Sequence, residues 1–168
     1  MKVILYMAMT VNGLIAKEND ETPWSRAVWE SYYRIAKRFK AIILGRRTYK
    51  IMKEVNEFEK IGNPFTVVVT NRGIKNSQNF AFVKSPKDGI NLLKGKGFTE
   101  VLLGGGSKLN GSFMKENLVD EIYLDIEPLI FGRGIKLFAE EEFERKLKLI
   151  DVNKISANTI QLHYKVIK

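Results

Sequence analysis

The chain has 168 residues, 45% of them hydrophobic, with no cysteine and a formal net charge of +9. That length favours one domain with a sizeable core, and the missing cysteines exclude disulfide frameworks, thiolate nucleophiles and cysteine metal sites. The opening run MKVILYMAMTVNGLIA lacks the ordered regions of a leader peptide, and no apolar stretch nears the roughly 18–20 residues of a membrane span, so a cytoplasmic protein without membrane contact is expected.

The predicted elements follow in chain order. Lys2–Met9 is apolar, β-branched and aromatic, and reads as a buried strand. Asn12-Gly13 marks a turn. Ser25 is placed to cap a helix over residues 26–38, in which Val28, Tyr32, Ile35 and Phe39 share one face. KAIILG (40–45) is a short apolar strand, and RRTYKIM (46–52) begins a helix directly after it. PFTVVVTNR (64–72) predicts a third strand and NFAFV (79–83) a fourth. Ser85 caps a helix with Pro86 at its first position, running to Leu93. FTEVLLGGG (98–106) is a strand, Lys108–Asn117 a helix, and LVDEIYLDIEPLI (118–130) a long strand. Residues 146–155 and 159–167 read as a terminal antiparallel pair. Strands alternating with helices predict an α/β fold: a mostly parallel central sheet flanked by helices, with an antiparallel C-terminal strand pair.

In such a sheet, ligands bind outside the carboxyl ends of the strands. Three features fall there. Gly104, Gly105 and Gly106 join a strand to a helix, leaving backbone N–H groups open to a diphosphate. Gly45 is followed by Arg46, Arg47 and Thr48 at another helix start. Cations are electrostatically disfavoured at that end of a helix, so two arginines there suggest a phosphate ligand, which guanidinium binds in bidentate fashion. Thr70, Asn71 and Arg72 end a third strand. Three phosphate-binding features on one sheet edge suggest a dinucleotide. The lysines are scattered without long like-charge runs, which speaks against nucleic acid as the partner. His163, the single histidine, lies on a terminal strand and reads as structural, and no metal-ligand spacing is present.

The order MAMTVNGLIA, PW, LGRRTY, VVVTNR and VLLGGGSKL resembles the dihydrofolate reductase family over nearly the whole chain. The stretch LVDEIYLDIEPLIFGRGIKLF (118–138) is similar to a sister group, the reductase domains of riboflavin biosynthesis. Either resemblance implies NADPH-dependent hydride transfer. It implies that Ala8 and Ile15 touch the nicotinamide, with Leu14 to Glu21 as a mobile loop over it. Gly45, Arg46, Arg47 and Thr48 would hold the 2′-phosphate and diphosphate, Thr70 and Asn71 the adenosine side, and Gly105, Gly106 and Ser107 the diphosphate turn. Trp29, Tyr33 and Met52 would line the substrate side.

The chain departs from dihydrofolate reductases at one point. Trp29 stands where they carry a helix carboxylate that binds the substrate and assists its protonation. Glu30 is adjacent but turned by about 100° on a helix, and Asp125, on the long strand, is the other candidate acid. The preferred reading is reduction of dihydrofolate to tetrahydrofolate, a step of one-carbon metabolism. The alternatives are a riboflavin-pathway reductase acting on a ribosylamino-pyrimidine 5′-phosphate, and a basic nucleotide-binding module without turnover. The partner expected is a pterin or diaminopyrimidine, and the chain is expected to be a monomer or homodimer.

Overall fold

The computed structural model describes all of residues 1–168. Its elements are β1 (Lys2–Thr10), β2 (Leu14–Ala16), α1 (Arg26–Ala36), β3 (Ala41–Gly45), α2 (Arg46–Glu54), α3 (Glu57–Lys60), β4 (Phe65–Val69) and β5 (Phe80–Val83), then α4 (Pro86–Gly95), β6 (Glu100–Leu103), α5 (Ser107–Lys115), β7 (Glu121–Glu127), β8 (Ile135–Lys136), β9 (Leu147–Lys154) and β10 (Ile160–Val166). Eight strands form one sheet in the order β5-β4-β3-β6-β1-β7-β10-β9. Pairing is parallel from β5 through β7, and β10 runs antiparallel to both β7 and β9. The expected α/β architecture, with its antiparallel C-terminal pair, is therefore present.

The central strands are apolar throughout because both of their faces are covered. Alternate residues sort between two cores. Ile4, Tyr6, Ile42, Leu44 and Leu102 face α1 and α2, with Ile35, Phe39 and Met52. Val3, Leu5, Ile43, Val67 and Leu103 face α4 and α5, with Leu93, Leu109 and Phe113. A one-residue slip in any central strand would exchange its two sets of side chains.

The helix starts follow local chemistry. Ser25 accepts the Val28 N–H at 3.4 Å, and Ser85 accepts the Asp88 N–H at 3.2 Å with Pro86 at the helix start. Helix α1 ends at Ala36, two residues before the predicted end, where Lys37 caps it.

Three elements escape the sequence reading: β2, β8 and α3. The segment 131–134 leads into β8, which pairs antiparallel with β2. Gly134 permits that approach, since a Cβ there would lie 2.5 Å from the Ala16 carbonyl oxygen. The start of the expected mobile loop is thus held as a strand. Its far end is held too, since Arg47 pairs with Asp20, the Arg47 Nε donating to Oδ2 at 2.7 Å. No helix is long and apolar enough to cross a membrane.

Candidate active site

A cavity of about 900 Å³ opens along the carboxyl ends of the parallel strands. Four strand ends build one pole. β3 delivers Gly45, Arg46, Arg47 and Thr48; β4 delivers Thr70 and Asn71; β5 delivers Lys84; and β6 delivers Gly104, Gly106, Ser107 and Lys108. Helices α2 and α5 start here on Gly45 and Gly106, with no side chain capping either and no acid in either first turn. Their first N–H groups are therefore free for an anion. A Cβ on Gly106 would come within 3.4 Å of Thr48 Oγ1, so the backbone there forms a narrow cradle. Arg47 is engaged by Asp20, whereas Arg46 lines the cavity without an ion-pair partner. These features suit a phosphate-rich dinucleotide.

The other pole is aromatic. Tyr6 from β1, Val28, Trp29 and Tyr32 from α1, Ile51 and Met52 from α2, then Val55 and Glu57 line it. Ala8, Ile15, Ala16, Trp24 and Ile135 also face the cavity. Trp24 stacks on Phe131 with ring centroids 6.3 Å apart.

Most expected site residues line this cavity: Ala8, Ile15, Gly45, Arg46, Arg47, Thr48, Thr70, Asn71, Gly104, Gly106, Ser107, Trp29 and Met52. Four do not. Gly105 turns away, its carbonyl accepting the Gly45 N–H at 2.7 Å while its own Cα faces Met7. Tyr33 lies one helix position beyond Tyr32, the residue that faces the cavity. Glu30 points outward: its carboxylate accepts from Arg26 Nε at 2.7 Å, and its side chain is 62% exposed. The helix turn that brings Trp29 inward takes Glu30 out.

Asp125 is fully buried, at 0% exposure, under the cavity wall rather than in it. Register places it beside Ala8 of β1 and opposite Gln161 of β10. Its Oδ2 accepts from the Tyr6 hydroxyl at 2.6 Å and its Oδ1 from Gln161 Nε2, also at 2.6 Å. Gln161 Nε2 in turn reaches Ser31 Oγ at 3.0 Å. Burial pushes the Asp125 carboxyl above the usual aspartate range, only partly offset by hydrogen bonds from Tyr6, Gln161 and Ser31. Burial first, and then the Asp125 charge, push the Tyr6 phenol far above the ordinary tyrosine value, so Tyr6 stays protonated. Tyr6 thus joins the buried acid to the cavity.

Two contributors were missed. In the sequence Tyr6 is one residue of a buried apolar strand; β1 pairing in parallel with β7 is what sets it against Asp125, 119 residues away in sequence. Glu57 sits at the start of a four-residue helix, too short for any periodic signal. His163 lies apart from the cavity, stacked on Tyr123 at 3.9 Å and bonded to Glu121 at 3.0 Å, as a structural role requires. No metal-binding cluster of His, Cys, Asp and Glu is present.

Comparison with known proteins agrees with this architecture. The chain is 29% identical to the uncharacterized protein YwjB of Bacillus subtilis (strain 168) over 171 residues, covering 97% of each. It superposes on a Shewanella sp. PV-4 protein named for riboflavin biosynthesis with a TM-score of 0.83, 22% identity and full coverage of both chains. It superposes on a pyrimidine reductase-like protein of Corynebacterium diphtheriae with a TM-score of 0.78 and 15% identity, covering 99% of this chain and 92% of that one. At those identities the two structures bear on the fold alone. The model of the RibD C-terminal domain matches residues 1–161, nearly the whole chain, and so the chain belongs to the RibD C-terminal domain family.

Proposed function

We propose that this protein is an NADPH-dependent reductase of a pyrimidine-type heterocycle, and not a dihydrofolate reductase. The observation that carries this reading is the single cavity joining a basic, glycine-lined pole to an aromatic pole. Family membership supports the riboflavin-type alternative over dihydrofolate. So does the fate of the two candidate acids. Neither of the two acids expected to meet a pterin's amino-pyrimidine edge is available, since Glu30 points to solvent and both oxygens of Asp125 are engaged.

Arg46, Thr48, Thr70, Asn71, Lys84, Gly106 and Ser107 would hold the phosphates and adenosine of the cofactor, with Ala8 and Ile15 beside its nicotinamide. When bound, NADPH supplies the hydride. The protein's task is to orient the acceptor, exclude water and deliver one proton. Reduction of a C=N bond places the hydride on carbon and needs a proton on nitrogen. Tyr6 presents a protonated hydroxyl to the cavity with Asp125 behind it. In this reading a protonated Asp125 reverses their 2.6 Å hydrogen bond, its Oδ2–H donating to the Tyr6 oxygen. The Tyr6 hydroxyl is then free to give its proton to the acceptor nitrogen and takes the Asp125 proton in its place. Trp29, Tyr32 and Met52 bury the ring.

The test is NADPH oxidation, followed by absorbance, with three acceptors: a ribosylamino-pyrimidine 5′-phosphate, its dephosphorylated form and dihydrofolate. Turnover of either pyrimidine and not of dihydrofolate is expected. Turnover of dihydrofolate alone would overturn the proposal.

A further inference from the structure

The aromatic pole contains a charge that the mechanism above does not use. Past the first turn of α2, the cavity wall built by α1, α2 and α3 carries no lysine or arginine, and its one charged side chain is Glu57. Glu57 is only 6% exposed. Its Oε2 accepts from Lys60 Nζ at 3.1 Å, but Oε1 is buried and has no donor within hydrogen-bonding geometry. Lys60 itself is half exposed, so it neutralises the carboxylate only from the solvent side. Tyr32 and Tyr33 stand near, and the Glu57 charge, after burial, pushes both phenols up, Tyr33 also through hydrogen bonding to the carboxylate.

A buried polar atom without a partner is costly, more so when charged, and native proteins keep few of them. In a cavity wall, a ligand can supply the missing partner. The partner must be a donor, because a carboxylate oxygen only accepts. Every cavity-lining cation lies elsewhere: Arg46, Arg47, Lys84 and Lys108 belong to the basic pole, and the other lining acid, Asp20, is already held by Arg47. A substrate phosphate on the α1–α3 wall would meet a carboxylate and no lining cation.

Resting on the reductase reading of this cavity, we infer that Glu57 is a specificity-determining residue whose Oε1 accepts an N–H from the substrate. The substrate class is then an amino-bearing or protonated nitrogen heterocycle that enters this pole without a phosphate. On this inference the dephosphorylated aminopyrimidine is preferred to its 5′-phosphate.

The experiment titrates two probes, 2,4-diaminopyrimidine and uridine 5′-phosphate, into NADPH-saturated protein, reading tryptophan fluorescence from Trp24 and Trp29. The titrations are repeated without nucleotide, and for the variants Glu57→Gln and Lys60→Met, each checked by thermal unfolding. Diaminopyrimidine should bind the wild type more tightly than uridine 5′-phosphate does. Glu57→Gln should weaken it by about 10–100-fold, the cost of one charge-assisted hydrogen bond. It should leave NADPH affinity unchanged. Lys60→Met should strengthen diaminopyrimidine binding, because it removes the competing cation. The inference is overturned if diaminopyrimidine fails to bind the wild type, if Glu57→Gln leaves its affinity unchanged, or if uridine 5′-phosphate binds more tightly. Failure of NADPH to bind would instead remove the reductase reading, and the nucleotide-free titration would still decide the role of Glu57.

Discussion

The Gly45 N–H donates to the Gly105 carbonyl at 2.7 Å, so the ends of β3 and β6 are stitched together under the basic pole. Gly105 holds φ at +85°, and a Cβ there would lie 2.7 Å from Met7 Cε. Its role is therefore to shape the junction from below while Gly106 faces the cavity. Gly105→Val should cost about 1–3 kcal/mol of stability from backbone strain alone, with nucleotide affinity falling alongside. Urea unfolding and NADPH titration of the same variant check this. Lost affinity with unchanged stability would show that Gly105 meets the ligand directly.

Arg46 is the unpaired arginine of its pair, so it is the one available to a 2′-phosphate. Arg46→Ala should cost about 1.5–3 kcal/mol of NADPH binding, or roughly 10–100-fold in affinity. NADH binding should barely change. Equal losses for the two cofactors would remove the 2′-phosphate assignment.

Tyr6 and Asp125 should fail together in catalysis. Tyr6→Phe deletes the hydroxyl that faces the cavity, and Asp125→Asn keeps the shape while removing the acid behind it. Each should lower turnover by about 10²-fold or more, with little effect on NADPH binding. The double variant should be no worse than either single one, because the two act as one unit. Additive losses in the double variant would refute the relay. Glu30→Gln, on the outer surface of α1, should leave turnover unchanged.

The same pair predicts a pH dependence of stability. Burial raises the Asp125 pKa in the folded state above its ordinary value of 3.8. Within that window the folded protein binds more protons than the unfolded chain, so the contribution of Asp125 to stability falls as pH rises. Asp125→Asn lacks this penalty. Its stability relative to wild type should therefore climb as pH is raised from about 3.8 and level off above the shifted value. Urea unfolding from acid to neutral pH measures it, and a difference that stays flat or falls would contradict the buried, raised carboxyl.

What could be read from the residues alone, and what could not, divides on physical lines. Continuous apolar runs such as Ala41–Leu44 and Val67–Val69 announce strands covered on both faces, and two arginines at a helix start announce an anion. Both signals are local. The Trp29–Glu30 choice turned on which side of α1 faces the sheet, a rotation that neighbouring residues do not decide. The Tyr6–Asp125–Gln161 network depends on the register of three strands distant in sequence. The pairing of β2 with β8 rests on strands of three and two residues, below the length at which alternation can be seen. Glu57 follows Asn56, whose left-handed backbone, at φ +53°, starts a new short helix where a periodic reading would extend α2.

Helix α2 contributes to both poles at once: Arg46 and Thr48 at its first turn, Ile51 and Met52 at its second. At 1.5 Å per residue, Arg46 and Met52 are separated by roughly 9 Å along a rigid axis. On the proposed function the helix works as a ruler between nucleotide and acceptor, and preferences for the two would be inherited on one short stretch of chain. Grafting residues 45–55 from a relative should move cofactor choice and acceptor choice as a package, which neither pole's remaining residues could reverse alone. A graft that shifted one preference and left the other untouched would show that the two evolve separately.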